Sequence, residues 1–256
     1  KMKISNLIKF VAALAVCLNL ANANSLEQIK KDGVIRIGTM GTYAPFTYHN
    51  EAGDLVGYDV EIAKAVADKL ALKPKFIEAS WDAMIAAFDA GKADIVFNQV
   101  TINDDRKKKY DFTVPYTATH TIVIVHKDNE DIKSFADLKG KRSTHAVTSN
   151  EGKIAEQHGA AIITAAGIVE QINLIATKRA DSTIDSDLMF YEYTKQNPQA
   201  PIKIAAINSD ATYMAAIVHK GNAKLLNAVN KALEELRAEG KLKEISLKYF
   251  GKDISE

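Results

Sequence analysis

The sequence predicts an α/β fold, and three observations carry that prediction. From Gly33 onward short apolar runs alternate with segments of helical periodicity, the element order that packs helices against a sheet. Across 256 residues, 47% hydrophobic and 25% charged side chains supply a real core, which excludes a disordered or fibrous chain. No internal repeat, low-complexity run or Gly/Ser linker interrupts the alternation, so any two units are joined by ordinary strands rather than by a flexible tether.

In chain order, residues 34–37 (Val-Ile-Arg-Ile) read as a buried strand, and residues 58–72 as a helix with Ile62, Val66 and Leu70 on one face. A strand at 75–78, a helix at 81–89, a strand at 94–99 and a polar helical turn from Asn103 to about Tyr110 complete a first series. The count then restarts with a strand at 121–126 and the turn Phe135-Ala136-Asp137-Leu138-Lys139-Gly140. Strands at 143–147, 161–164 and 182–184 alternate with helices at 150–158 and 168–177. The chain closes with a strand at 213–219 and helices at 223–238 and 241–249, separated by Gly240. Leu225, Leu226, Val229, Leu233 and Leu236 fall at helical spacing in the first of these. Two series of this kind predict two units, and the segments 116–119 and 211–214 are the candidate crossings between them.

The N-terminus reads as an export signal over residues 1–23. Lys1, Lys3 and Lys9 precede an apolar run at 10–20, and Ala21-Asn22-Ala23 follows as a cleavage site that leaves Asn24 first. The run is shorter than the ~20 residues of a spanning helix. Cys17 follows Val16 rather than a small residue, so a lipid anchor there is weakly supported. The whole chain carries +1; without the three lysines the value becomes +1 − 3 = −2, which suits no nucleic acid or other polyanion. Cleavage would also remove the one cysteine, and with it any disulfide, thiolate nucleophile or Cys-type zinc site. The six histidines show no metal-binding spacing, and no nucleophile elbow, phosphate-binding loop or H-E-x-x-H motif occurs. No metal, no cofactor and no enzymatic activity are therefore expected.

Gly57-Tyr58-Asp59-Val60-Glu61-Ile62, continuing through Ala65-Val66 to Leu70, resembles the signature helix of the polar amino-acid-binding periplasmic proteins, family 3 of the bacterial extracellular solute-binding proteins. Thr42-Tyr43-Ala44-Pro45-Phe46, Ser80-Trp81-Asp82, Asn98-Gln99-Val100-Thr101, Arg106, Pro115-Tyr116 and Lys248-Tyr249-Phe250 fit the same pattern, from about Leu26 to the C-terminus. The cystine-binding branch is the nearest, on Asn98-Gln99-Val100-Thr101, Lys107-Lys108-Lys109-Tyr110-Asp111-Phe112 and Thr148-Ser149-Asn150.

The resemblance implies a type II periplasmic-binding-protein fold: two α/β lobes joined by two crossing strands, with a ligand cleft between them. Lobe 1 would be residues 24–117 plus 213–256, and lobe 2 residues 118–212. The implied function is a monomeric periplasmic protein that hands a free amino acid to an inner-membrane ABC permease. The alternative is a cyclohexadienyl-dehydratase-like lyase on the same fold, with Asp185 or Asp187 as its acid.

An amino acid brings a carboxylate and an ammonium into a low-dielectric cleft, and each must be paired there. By position in the family Arg106 clamps the carboxylate, although its place in the basic run 106–109 alone reads as a solvated surface. Asn98, Gln99 and Thr101 lie where a buried strand ends, the usual place for a ligand in an open α/β sheet. Tyr43 and Trp81 are expected to stack on the ligand, and Phe46 to pack in the core. Thr148, Ser149 and Asn150 open a helix, whose cap also suits a carboxylate. For the ammonium the family generally uses an Asp, but here Ile184-Asp185-Ser186-Asp187 places Ser186 at that position, leaving Asp185, Asp187 or Ser186 itself. Met40 stands where basic-ligand binders often have an acid, so a neutral ligand is expected. His120 and His145 either border the cleft or are satisfied structural histidines.

Overall fold

The computed structural model describes residues 24–255; the export signal read at 1–23, with Cys17, lies outside the described residues. Helix α1 (Leu26–Asp32), capped by Ser25 and ended by Gly33 in the left-handed conformation, leads into strand β1 (Val34–Thr39). Three short antiparallel strands absent from the sequence reading follow: β2 (Thr42–Tyr43), β3 (Thr47–His49) and β4 (Leu55–Val56). Two or three residues each are too few to show alternation.

Helix α2 (Tyr58–Lys69) starts at Gly57, at φ 131. A Cβ there would sit 2.3 Å from the Phe46 carbonyl oxygen, so only glycine lets the helix enter this close to the strand before it. The apolar face of α2 (Tyr58, Ile62 and Val66) is fully buried against the rest of the core, together with Phe46. Strand β5 (Lys73–Glu78) and strand β6 (Ile95–Thr101) lie parallel to β1 on either side, with helix α3 (Trp81–Asp89) between them in sequence. Helix α4 (Asp104–Lys109) and strand β7 (Tyr110–Phe112) complete this series.

The crossings are two long antiparallel strands, β8 (Thr117–His126) and β12 (Ile202–His219). Ala211, Thr212, Tyr213 and Met214 pair with His120, Thr119, Ala118 and Thr117 in turn, where the crossings were expected. Beyond them β12 pairs β6 and β7 in the first lobe, while its earlier residues pair β8 in the second. The sequence reading places only the second half of β12. Asn208, Ser209 and Asp210 interrupt its pattern, and the ladder is irregular between Ile207 and Ala211.

The second lobe adds strands β9 (Arg142–His145), β10 (Ala161–Thr164) and β11 (Ser182–Ser186), covered by helices α5 (Asn150–Gln157), α6 (Ile168–Ala176) and α7 (Asp187–Gln196). One mixed sheet therefore runs through both lobes in the order β10-β9-β11-β8-β12-β6-β1-β5. Helix α7 is also absent from the sequence reading, although Ser186 caps it by accepting from Met189 N at 3.1 Å. Helices α8 (Ala223–Ala238) and α9 (Lys241–Phe250) return to the first lobe and pack on α2.

Candidate functional site

A cavity of about 750 Å³, part of it open to solvent, lies between the lobes at the ends of β6 and β11 and the start of α5 and α6. From the first lobe Met40, Tyr43, Trp81, Asn98, Gln99, Thr101 and Arg106 line it. From the second come Ser149, Glu151, Gly167, Gln171, Asp185 and Ser186.

The first-lobe wall is shaped near the end of β6 by the backbone at Gln99. Gln99 adopts φ 49, a left-handed conformation that a non-glycine residue keeps only when its surroundings enforce it. Asp59 of α2 enforces it, accepting from Gln99 N at 2.8 Å and from Gln99 Nε2 at 2.6 Å. Burial pushes the Asp59 carboxyl up to about 7. Beside it, Asn98 Oδ1 accepts from Met40 N at 2.8 Å and from Thr39 Oγ1 at 3.2 Å. Those two donors fix which end of the amide is which. Asn98 Nδ2, on a side chain only 1% exposed, then has no acceptor among the described residues.

Arg106 is half-buried. Asn103 caps α4 by accepting from Arg106 N at 2.8 Å, the guanidinium lies 5.1 Å over the Trp81 ring, and Nη1 donates to the Thr101 carbonyl at 3.2 Å. Burial lowers its pKa, but a guanidinium stays charged. It forms no ion pair among the described residues, whereas the neighbouring Lys107 and Lys108 make exposed pairs with Asp104 and Asp105. The surface reading suggested by the basic run thus holds for the lysines and not for Arg106.

On the second-lobe wall Ser149 Oγ caps α5 through Gly152 N at 2.9 Å. Thr148 and Asn150 do not line the cavity; they form the seam beside it. Thr148 accepts from Trp81 Nε1 at 3.1 Å, and Asp82 accepts from Val147 N at 3.1 Å, Thr148 N at 2.9 Å and Thr148 Oγ1 at 2.6 Å. Asn150 Oδ1 accepts from Asn103 Nδ2 at 2.8 Å. With Tyr43 Oη donating to Asp185 Oδ1 at 2.7 Å, these bonds join the lobes in a closed arrangement.

The three alternatives at Asp185-Ser186-Asp187 separate. Asp185 faces the cavity, accepting from Tyr43 and from Ser186 N, and burial pushes its carboxyl up to about 7, with the charge of Glu151 adding to the effect. Ser186 reaches the cavity wall, but its hydroxyl is engaged in capping α7. Asp187 turns away and accepts from Thr119 Oγ1 at 2.6 Å and from His120 N at 3.1 Å. Neither histidine lines the cavity. His120 Nδ1 meets the Asn208 carbonyl at 3.2 Å, and His145 is buried against Ser143 Oγ at 2.8 Å, where burial pulls its pKa down to about 4. Glu151, Gly167 and Gln171 line the cavity without having been singled out from sequence. Glu151 is an acid in the first turn of a helix, where the helix dipole already favours one, so nothing in the sequence marks it as a cavity residue.

Two α/β lobes on crossing strands, with a charged cavity where they meet, define the type II solute-binding class. The chain belongs to the bacterial extracellular solute-binding proteins, family 3, which it matches over residues 35–252. It is 41% identical over 230 residues to a probable amino-acid ABC transporter-binding protein of Haemophilus influenzae, covering 90% of each chain. It is 40% identical to the L-cystine-binding protein TcyA of Bacillus subtilis, over 96% of this chain and 95% of that one. A solved structure, the L-cystine solute receptor of Neisseria gonorrhoeae in the unliganded open conformation, is 40% identical over 90% of this chain and 98% of that one, with a TM-score of 0.59.

Proposed function

We propose that this chain is the exported receptor of an ABC importer, and that its lobes close on a free amino acid and deliver it, chemically unchanged, to an inner-membrane permease. The lobes of this proposal are residues 24–117 plus 213–256 and residues 118–212, with 1–23 as a cleaved signal and the mature chain a periplasmic monomer. The observation that carries it is Arg106, a half-buried guanidinium with no ion-pair partner among the described residues, on one wall of the cavity with acids on the other. A zwitterion supplies both missing charges at once. Its carboxylate goes to Arg106 with Thr101 and the Gln99 backbone beside it, its ammonium to the acidic wall that includes Asp185, and its side chain against Tyr43 and Trp81. Asn98, Ser149 and Ser186 complete the site, and Thr148 and Asn150 act at the seam. Every one of these groups holds rather than reacts, and the relatives above are named as binding proteins, which favours a receptor over a dehydratase-like lyase.

The ligand that fits best is a neutral polar amino acid, with cystine first, followed by cysteine. A thermal-shift panel of the amino acids tests this: a saturating ligand at 100 times its Kd adds about 2.7 kcal/mol. Stabilisation by cystine or another neutral polar amino acid is expected, and stabilisation by arginine and lysine alone would contradict the reading.

A further inference from the structure

Asp59 is fully buried and lies outside the cavity lining. It stands in the first turn of α2, where the helix dipole favours an acid. Both of its oxygens nevertheless reach across to one residue: Oδ2 accepts from Gln99 N at 2.8 Å and Oδ1 from Gln99 Nε2 at 2.6 Å. An apolar side chain would pack α2 without the desolvation cost of a buried carboxylate, so the acid has its use at Gln99. In a regular strand neighbouring residues point to opposite faces, yet Asn98 and Gln99 both line the cavity. The ladder to β12 shows how. Ala215 pairs with Val100 and Ile217 with Val96, so Ala216 alone stands opposite Phe97, Asn98 and Gln99. Within this irregular stretch Gln99 takes φ 49, a conformation that a residue with a Cβ keeps only under constraint. Two residues on, Thr101 lines the cavity, and its carbonyl accepts from Arg106 Nη1 at 3.2 Å. Gln99 Nε2 also donates to Thr117 Oγ1 at 3.1 Å, and Thr117 pairs with Met214 where the chain crosses between the lobes.

Resting on the receptor reading above, we infer that Asp59 is a positioning residue of the ligand site. By holding Gln99 in the left-handed conformation it sets where Thr101 and, through the Thr101 carbonyl, Arg106 meet the carboxylate of the amino acid. Asp59 touches no ligand itself. Its effect on affinity passes through the backbone at Gln99, and a residue that takes the left-handed conformation unaided makes it dispensable.

Calorimetry on the full mature chain and its variants tests the inference, with L-cystine and any other amino acid that stabilises the chain in the panel above. Asp59→Ala should weaken binding at least ~10-fold, because the donors that meet the carboxylate lose their placement. Adding Gln99→Gly to Asp59→Ala should recover at least ~5-fold of that loss, since glycine reaches this φ without a partner. A role for Asp59 in packing α2, or as a charge acting on the ligand, would not be rescued at Gln99. A folded Asp59→Ala that binds within about twofold of the unmodified chain, or a loss that Gln99→Gly leaves unchanged, would overturn the inference. Where Asp59→Ala does not fold, Asp59→Asn decides. It keeps an acceptor for Gln99 N without the charge and should bind within about threefold of the unmodified chain. A larger loss would assign the effect to the charge of Asp59 and overturn the inference, while binding by the unmodified chain would leave the receptor reading intact. No heat with any amino acid in the unmodified chain would sink the receptor reading itself, and the inference with it.

Discussion

The two walls of the cleft differ in the sign of what they bury. The first lobe contributes a guanidinium and flat rings: Arg106, Trp81 and Tyr43. The second contributes carboxylates and a capped helix start: Asp185, Glu151 and Ser149. Neither wall neutralises a zwitterion alone, and each buries a charge that its own lobe does not pair. On the proposed function, the contrast makes binding and closure one event. An amino acid held by one lobe keeps an unpaired charge, and lobes closed on nothing of opposite charge leave two.

The sharpest way to break this contrast is to take the cation from the first wall. Arg106→Ala should weaken amino-acid binding ~100-fold or more and Arg106→Lys at least ~10-fold, because an ammonium cannot reproduce the planar two-point grip. Lys107→Ala and Lys108→Ala are the controls, since both side chains pair only at the surface; they should stay within about twofold. Calorimetry that found Arg106→Ala as tight as these controls would remove the clamp from the account.

Acidifying the second wall has a smaller effect. The Asp185 carboxyl sits at about 7 because burial penalises its charge, and Tyr43 and Glu151 are the titratable groups that face it. A cationic nitrogen binds the ionised form, so affinity is full above the raised value and is lost as pH falls through it. Between pH 8 and pH 6 the dissociation constant should rise roughly tenfold, and Asp185→Asn should flatten the profile. A profile unchanged in that variant would assign the pH dependence elsewhere.

The seam between the walls should matter least. Asp82 reaches across from α3 and accepts three hydrogen bonds from Val147 and Thr148. They are partly exposed, so Asp82→Ala should weaken binding only about fivefold, mainly through faster release. Stopped-flow dissociation rates equal to those of the unmodified chain would show that the seam does not latch the closed form.

Much of this was legible from residues alone, and the exceptions have physical causes. The helical stripe of 58–72 and the β-alternation after Gly33 forecast the sheet and its covering helices, because burial on one face leaves a period in the sequence. Arg106 was legible only by family position; in its basic run nothing separates it from Lys107 and Lys108 until the chain folds it over Trp81. Asp185 and Asp187 looked interchangeable because an extended strand points residues two apart to the same face. The strand instead ends at Ser186 and α7 begins at Asp187, which turns the second acid away from the cavity toward Thr119. Glu151 was hidden for the opposite reason, since an acid at a helix start already has an ordinary explanation.

The most direct test of coupled closure is small-angle scattering of the mature chain, with and without saturating L-cystine, beside Arg106→Ala under the same conditions. β8 and β12 permit rotation about the crossing but not separation of the lobes. The account predicts that the radius of gyration of the unmodified chain falls when the amino acid is added, and that Arg106→Ala keeps the larger value at the same concentration. Identical curves with and without an amino acid that calorimetry shows to be bound would contradict it.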